Sequence, residues 1–249
     1  LSPGRLAVVG LGPGDAGTCT PDVVTELAAA TDRVGYGRYL DLAAGIVPLP
    51  DSAVEHRTDN REEADRAAHA LRLAAEGRHV VVVSSGDPGI FAMAAAVMEQ
   101  LDGATTVVDV VVHPGVSAAQ VAAARVGAPL GHDFCVISLS DNLKPWSLIE
   151  RRLDAAAGAD FVLALYNPRS KARPDQFARA VELLLDHRDP STPVVLGRSL
   201  GRPGETVEVV TLGELADAEV DMATVVLVGS SQTRTADGRW TYTPRSHPG

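Results

Sequence analysis

Cysteine is scarce in this chain: Cys19 and Cys135 are the two, too far apart for a C-x-x-C pair. A disulfide scaffold is therefore excluded, and both residues read as free thiols of a reducing compartment. Metal-ligand spacing is missing as well. The seven histidines are scattered, with no H-x-x-x-H pair and no Cys/His cluster, so no metal is expected. Positive charge is in deficit: 22 Lys and Arg stand against 32 Asp and Glu, a formal net charge of −10. That excludes the broad basic face that non-specific nucleic-acid binding needs, so no nucleic-acid partner is expected. An acidic small ligand stays possible, because a local Arg/Lys cluster can act inside an acidic protein. No apolar run is long enough to span a membrane and no leader pattern opens the chain. It reads as a cytoplasmic protein without a membrane partner. Repeats and low-complexity stretches are also absent.

What is present points to a globular α/β protein. Of 249 residues, 45% are hydrophobic and 22% charged, enough for one large core or two smaller ones. The organising stretch is Val80–Val83, a strand with both faces buried, running into the turn formers Ser84-Ser85-Gly86-Asp87-Pro88-Gly89 and then a helix from Ile90 to Leu101. Arg5 to Val9 is a similar strand, ending in Gly10-Leu11-Gly12-Pro13-Gly14-Asp15. Thr20 caps a helix opened by Pro21. A strand over Arg33–Gly37, a helical turn over Tyr39–Ala44 and an extended Val47–Pro50 follow. Asn60 is expected to cap a helix from Arg61 to Glu76, stopped by Gly77. Val107 to Val112 is a strand, followed by His113-Pro114-Gly115-Val116-Ser117 and a helix from Ala118 to Val126.

Strand and helix thus alternate over the first ~130 residues, the mark of parallel βα units. The loops Gly10–Asp15, Ser84–Gly89 and His113–Ser117 then share the carboxyl rim of one sheet, where open α/β sheets bind ligands. Gly127–Asp133 breaks the rhythm and sets the expected domains at 1–130 and 131–249. The second half reads as a mixed sheet with helices. Its strands are Phe134–Leu139, Asp160–Tyr166, Pro193–Arg198, Thr206–Thr211 and Ala223–Val228. Its helices are Pro145–Ala157 and Pro174–Asp186, and a Gly/Ser/Thr-rich tail ends it.

The rim loops restrict the ligand. A dinucleotide fingerprint needs Gly where Asp15 stands, and no P-loop Gly-Lys-Ser/Thr occurs. None of the three loops carries Lys or Arg. A phosphate-free ligand with a flat uncharged group, such as adenosine, suits small residues and exposed backbone.

Gly10-Leu11-Gly12-Pro13-Gly14-Asp15, Gly86-Asp87-Pro88 and Pro114-Gly115-Val116-Ser117-Ala118 resemble successive motifs of the tetrapyrrole methylases, the class III S-adenosylmethionine methyltransferases. Leu130-Gly131-His132-Asp133-Phe134, Ile137–Asp141, Ala164-Leu165-Tyr166-Asn167-Pro168-Arg169-Ser170-Lys171 and Val228–Thr233 resemble the branch that methylates a precorrin at C-17 with ring contraction in cobalamin biosynthesis. The resemblance implies a two-domain α/β fold with a ligand cleft between the domains, S-adenosylmethionine as cofactor, a tetrapyrrole substrate and a homodimer. Carried over by motif, the cofactor contacts are Pro13, Gly86, Asp87, Ile90, Ser117, Ala118, Tyr166, Asn167, Gly201 and Thr224. In the uroporphyrinogen-III branch an Asp follows a Tyr past the second strand. Here Gly37 follows Tyr36, which fits the ring-contracting branch instead.

Methyl transfer from a sulfonium is an in-line displacement, which needs alignment and exclusion of water more than a protein nucleophile. No catalytic residue is assigned. The carboxylate-rich precorrin rim calls for cations, and Arg169 and Lys171 are the substrate-binding candidates, ahead of Arg38, Arg198 and Arg202. His132 is counted with them on the substrate side and is the candidate for acid–base help. Two other readings stay open from sequence: a precorrin methylase acting at C-11 or C-20, and a catalytically silent cofactor-binding module.

Overall fold

Val80, Val81, Val82 and Val83 are fully buried in the middle of a parallel sheet. A computed structural model describes residues 4–59, 62–102 and 108–246 of the chain. They form two compact units, Leu1–Ser117 and Ala118–Gly249.

The first unit alternates β1 (Arg5–Gly10), α1 (Pro21–Ala29), β2 (Asp32–Tyr36), α2 (Gly37–Ile46), β3 (Val54–Thr58), α3 (Glu63–Ala75), β4 (His79–Ser84), α4 (Met93–Leu101) and β5 (Asp109–His113). The sheet order is β3-β2-β4-β1-β5, and each pairing is parallel. The two-residue period of β4 divides the core into layers. Val80 and Val82 pack with Ala67, Ala70 and Leu73 of α3 and with Met93 and Val97 of α4. Val81 and Val83 face the other way, onto Val23 and Leu27 of α1 and Leu40 and Ala43 of α2. Each fully buried valine contributes on the order of 1.5–2 kcal/mol. Thr20 caps α1 as expected, its Oγ1 accepting the Val23 amide, with Pro21 in the first turn.

The second unit holds α5 (Ala118–Val126), β6 (Gly127–Ala128), β7 (Phe134–Ser138), α6 (Trp146–Gly158), β8 (Val162–Tyr166), α7 (Gln176–Leu185), β9 (Pro193–Arg198), β10 (Thr206–Thr211), β11 (Thr224–Val228), β12 (Arg234–Ala236) and β13 (Trp240–Tyr242). Its main sheet, β10-β9-β11-β8-β7, is mixed: β7 and β8 run parallel, and the other pairs antiparallel. Ile149 and Leu153 of α6 and Phe177, Ala180 and Leu184 of α7 cover one face. Helix α5 packs against β9 and β11.

Helix α5 thus falls in the second compact unit. The sequence expectation ended the first domain at residue 130, whereas the compact units divide at Ser117/Ala118. Gly197 in β9 explains the close fit, since a Cβ there would lie 2.9 Å from the Ala122 side chain. The linker and the tail also carry structure that their composition hid. β6, β12 and β13 form a small sheet in the order β12-β13-β6. β3 was likewise unread: Val-Glu-His-Arg-Thr has no apolar pattern, because it is an edge strand paired with β2 alone. The tail of the Tyr39–Ala44 turn is longer than expected, as the ten-residue helix α2. The Asn60 cap, the Arg61 helix start and the Val107 strand start lie outside the described residues.

Candidate functional site

β4, β1 and β5 are neighbours in the first sheet, so the loops leaving their carboxyl ends lie side by side. They meet main chain to main chain. Gly12 and Gly86 exchange backbone hydrogen bonds of 3.2 and 2.7 Å. A Cβ on Gly10 would lie 2.5 Å from the Gly86 carbonyl oxygen and 2.8 Å from the Gly115 nitrogen, so no side chain fits at the junction. Asp87 completes it. Its Oδ1 accepts the Gly89 amide at 2.8 Å and its Oδ2 the Gly115 amide at 3.1 Å. Asp87 therefore ties its own loop to the next, and each oxygen keeps acceptor capacity for a further donor. Gly86 has φ +69°, a conformation glycine adopts without strain. A Cβ there would meet nothing nearer than Ser117 Cα at 3.9 Å, so this stretch of backbone has an open side. Pro13 and Ser117 are buried and Ile90 half-buried along the same rim. Asp15 is occupied locally: its Oδ1 accepts the Gly17 amide at 2.6 Å and caps a 3-10 turn over Ala16–Thr18.

A buried carboxylate supports the third loop from outside the rim. Glu26 of α1 is 6% exposed and accepts from Arg5 Nη2 at 2.6 Å, His79 Nε2 at 2.6 Å and His113 Nε2 at 3.1 Å. Burial pushes its carboxyl up. The hydrogen bonds from Arg5, His79 and His113 and the Arg5 charge outweigh that and hold it at about 2. His113, which opens the third loop, is thereby fixed to α1.

In the second unit, the ends of β7 and β8 and the start of β11 share one end of the main sheet, because Ser138 pairs with Tyr166 and β11 runs antiparallel to β8. The Tyr166 hydroxyl accepts the Ala119 amide at 3.0 Å, next to Ala118. Asn167 is left-handed at φ +54° and its Nδ2 donates to Ser138 Oγ at 3.0 Å. Thr224 is 4% exposed, and its Oγ1 donates to Asp221 Oδ1 at 3.0 Å. The Gly201 amide donates to Glu205 Oε2 at 2.7 Å.

A residue that the sequence reading passed over organises this end. Arg173, 4% exposed, donates from Nη1 to the Asn167 and Leu139 carbonyl oxygens at 2.9 and 3.2 Å. An arginine among Pro, Ser, Lys and Ala reads as solvated, so nothing in the local sequence signals its burial. The neighbouring candidates differ. Lys171 is exposed. Arg169 is half-buried with its guanidinium 5.6 Å from the centre of the Phe177 ring, and its buried Nε has no partner. His132 is not brought to this end. It precedes β7, whose first residue pairs with Val162 while its last pairs with Tyr166, so it lies at the opposite edge. There its Nδ1 accepts the Asp133 amide at 2.8 Å, beside a recess of about 130 Å³ lined also by Asp160, Ser230 and Thr243.

Chemically, the first unit offers a cation-free cradle of backbone and one carboxylate, suited to a neutral flat group with hydroxyl or amino donors. The second offers a set of loop ends held in place by a buried guanidinium.

The family model of Tetrapyrrole (Corrin/Porphyrin) Methylases matches residues 5–216. The Precorrin-3B C(17)-methyltransferase of Sinorhizobium sp is 51% identical over 253 residues, 99% of this chain and 98% of that protein. The Cobalamin biosynthesis protein CobIJ of Mycobacterium tuberculosis is 52% identical over all of this chain. The chain spans about half of that longer relative, 49%. Among solved structures, that of the methyltransferase CobJ superposes with a TM-score of 0.89 at 49% identity, covering 97% of this chain and 100% of the other. Uroporphyrin-III C-methyl transferase from Thermus thermophilus, complexed with S-adenyl homocysteine, gives a TM-score of 0.68 at 25% identity, covering 91% and 92%. The cradle of glycine loops, the two-unit α/β fold and these near-full-length matches lead to one assignment: the chain belongs to the tetrapyrrole methylase family.

Proposed function

We propose that this chain transfers the methyl group of S-adenosylmethionine to C-17 of precorrin-3B, or of its cobalt-bearing form, with contraction of the macrocycle in cobalamin biosynthesis. The observation that carries the reading is the 51% identity to the Sinorhizobium methyltransferase along nearly the full length of both chains. The geometry supports it. The rim loops of the first unit carry no cation to bind a pyrophosphate, and their open backbone at Gly86 leaves room for a flat group.

The cofactor, when bound, supplies an electrophilic methyl on a sulfonium sulfur. Pro13, Gly86, Asp87, Ile90, Ser117 and Ala118 would hold it, with Tyr166, Asn167, Gly201 and Thr224. Asp87 has lone pairs left to accept from hydroxyl or amino hydrogens while it fixes its own loop. The remaining contribution of these residues is orientation and exclusion of water, which is what an in-line methyl displacement demands. Lys171 is exposed and free to meet substrate carboxylates. Arg169, stacked on Phe177, presents less of its guanidinium. The reading includes a homodimer acting in the cytoplasm. Among the described residues no helix is long and apolar enough to cross a membrane, and sedimentation velocity tests the dimer.

The decisive experiment incubates the purified protein with methyl-labelled S-adenosylmethionine and a panel of precorrins, with and without cobalt. NMR and mass spectrometry then locate the methyl. Label at C-17 of a contracted ring is expected. Label at C-11 or C-20 would reassign the substrate, and cofactor binding without transfer to any precorrin would favour a silent module.

A further inference from the structure

The second unit buries two arginines, Arg173 and Arg188, at 4% and 7% exposure. Burying a guanidinium is costly unless its donors are satisfied, so what each satisfies is informative. Arg188 donates to the carbonyl oxygens of Ala157, Phe161, His187 and Gly229 and pairs with Asp160 at 3.1 Å. Gly229 follows the carboxyl end of β11 and Phe161 precedes β8, so Arg188 serves the edge of the sheet remote from Tyr166 and Thr224. Arg173 serves the other edge. Its Nη1 joins the Leu139 and Asn167 carbonyl oxygens, and its Nη2 reaches Met222 Sδ at 3.2 Å. Asp141, 4.0 Å from its Nε, supplies the counter-charge and is itself held by Gln176 Nε2 at 3.0 Å.

Three chain segments therefore converge on one guanidinium: the exit of β7, the exit of β8 and the approach to β11. Two of them lead directly into Asn167 and Thr224. The backbone at Asn167 is left-handed, a conformation that asparagine tolerates at small cost and that the contacts of this loop select. Arg173 grips the carbonyl of that residue. A reciprocal Ser170–Arg173 backbone pair, 3.4 and 3.0 Å, folds the loop back so that the side chain can do so.

We infer that Arg173 is a positioning residue for cofactor binding: without touching the cofactor, it sets the Asn167 conformation and the spacing of the loop ends that meet it. The inference rests on the methyltransferase reading. Arg188, alike in burial and in bonding to carbonyls but placed at the other edge, is the internal control.

The test measures S-adenosylhomocysteine affinity by calorimetry, and melting temperature, for the wild type, Arg173→Met, Arg173→Lys and Arg188→Met. Losing a charged hydrogen-bond donor shared by two carbonyls predicts about a thirtyfold weaker Kd for Arg173→Met. Lysine can replace one of the bonds, so Arg173→Lys should lose only about fivefold. Both should raise the cofactor KM more than they lower kcat. Arg188→Met should melt earlier yet bind within about twofold of the wild type, as a purely structural arginine would. Should Arg173→Met fail to fold, the Arg173→Lys affinity and KM decide. Wild-type affinity in the Arg173 variants, or an equal loss in Arg188→Met, overturns the inference. If the wild type itself does not bind S-adenosylhomocysteine, the methyltransferase reading fails and takes this inference with it.

Discussion

The two units hold their candidate ligand loops by opposite means. In the first, glycine backbones interlock and one carboxylate, Asp87, gathers two amides. In the second, a long side chain, Arg173, reaches across three segments and gathers carbonyls. The first arrangement has no spare volume where Gly10 and Gly115 meet Gly86 and fails when atoms are added there. The second depends on a satisfied charge and fails when atoms are removed. One fold thus solves the same task, presenting loop ends rigidly, by steric fit in one half and by hydrogen-bond donation in the other.

The steric half should break hardest. A Cβ on Gly115 would lie 2.8 Å from the Gly10 carbonyl oxygen and closer still to that of Gly86. Gly115→Ala is expected to destabilise the first unit by about 3 kcal/mol, read as a shifted urea midpoint. An unchanged midpoint would mean the loops are not interlocked as described.

Glu26 sharpens the contrast, since it holds the third loop of the first unit through His113 while Asp87 holds it through Gly115. Its carboxyl lies at about 2 in the folded chain against 4.5 for the unperturbed group. A depressed carboxyl stabilises fully above its unfolded value and loses that contribution as pH falls through the folded one. The gain at neutral pH is about 3 kcal/mol, disappearing between about pH 4.5 and pH 2. Glu26→Gln should remove a similar amount at pH 7 and flatten the acid limb of a stability–pH curve. An acid limb of unaltered steepness would show that other carboxylates set it.

Asp87 comes next. Removing its two amide contacts should cost about 1–2 kcal/mol of stability in Asp87→Ala. Cofactor affinity should drop about tenfold, with Asp87→Asn intermediate. Calorimetric affinity equal to the wild type would leave Asp87 a loop tie and nothing more. The smallest effects belong to the charged loop of the second unit. Lys171→Ala should leave melting within about 0.5 kcal/mol of the wild type. Arg169→Ala should cost about 1 kcal/mol through its lost stacking on Phe177. Equal melting curves for the two would erase the distinction between a free and a packed cation.

The same contrast decides what could be read from sequence. Glycine and proline after runs of valine announce strand, turn and backbone approach in the residues themselves, so β1, β4, their loops and the Thr20–Pro21 helix start were legible. β3, β6, β12 and β13 were not. Two to five residues without an apolar run become strands only because a distant segment offers an edge. Arg173 was hidden for a related reason: nothing local to an arginine says whether its guanidinium meets water or carbonyls. Glu26 was hidden likewise, since Arg5, His79 and His113 come together only once β1, β4 and β5 are side by side. His132 shows the converse, a residue singled out for its chemistry that the strand register places at the end of the main sheet away from Tyr166.

The small sheet has a further consequence. Thr241 and Tyr242 pair with Gly127 and Ala128, and Thr243 Oγ1 donates to the Pro129 carbonyl oxygen at 2.6 Å. A ribosome delivers Gly127 more than a hundred residues before the strand it must marry. During that interval the segment beside α5 lacks this lateral partner, and the small sheet can close only after Tyr242 has been made. Closure of the small sheet is therefore timed by the arrival of Thr241 and Tyr242 rather than by that of Gly127.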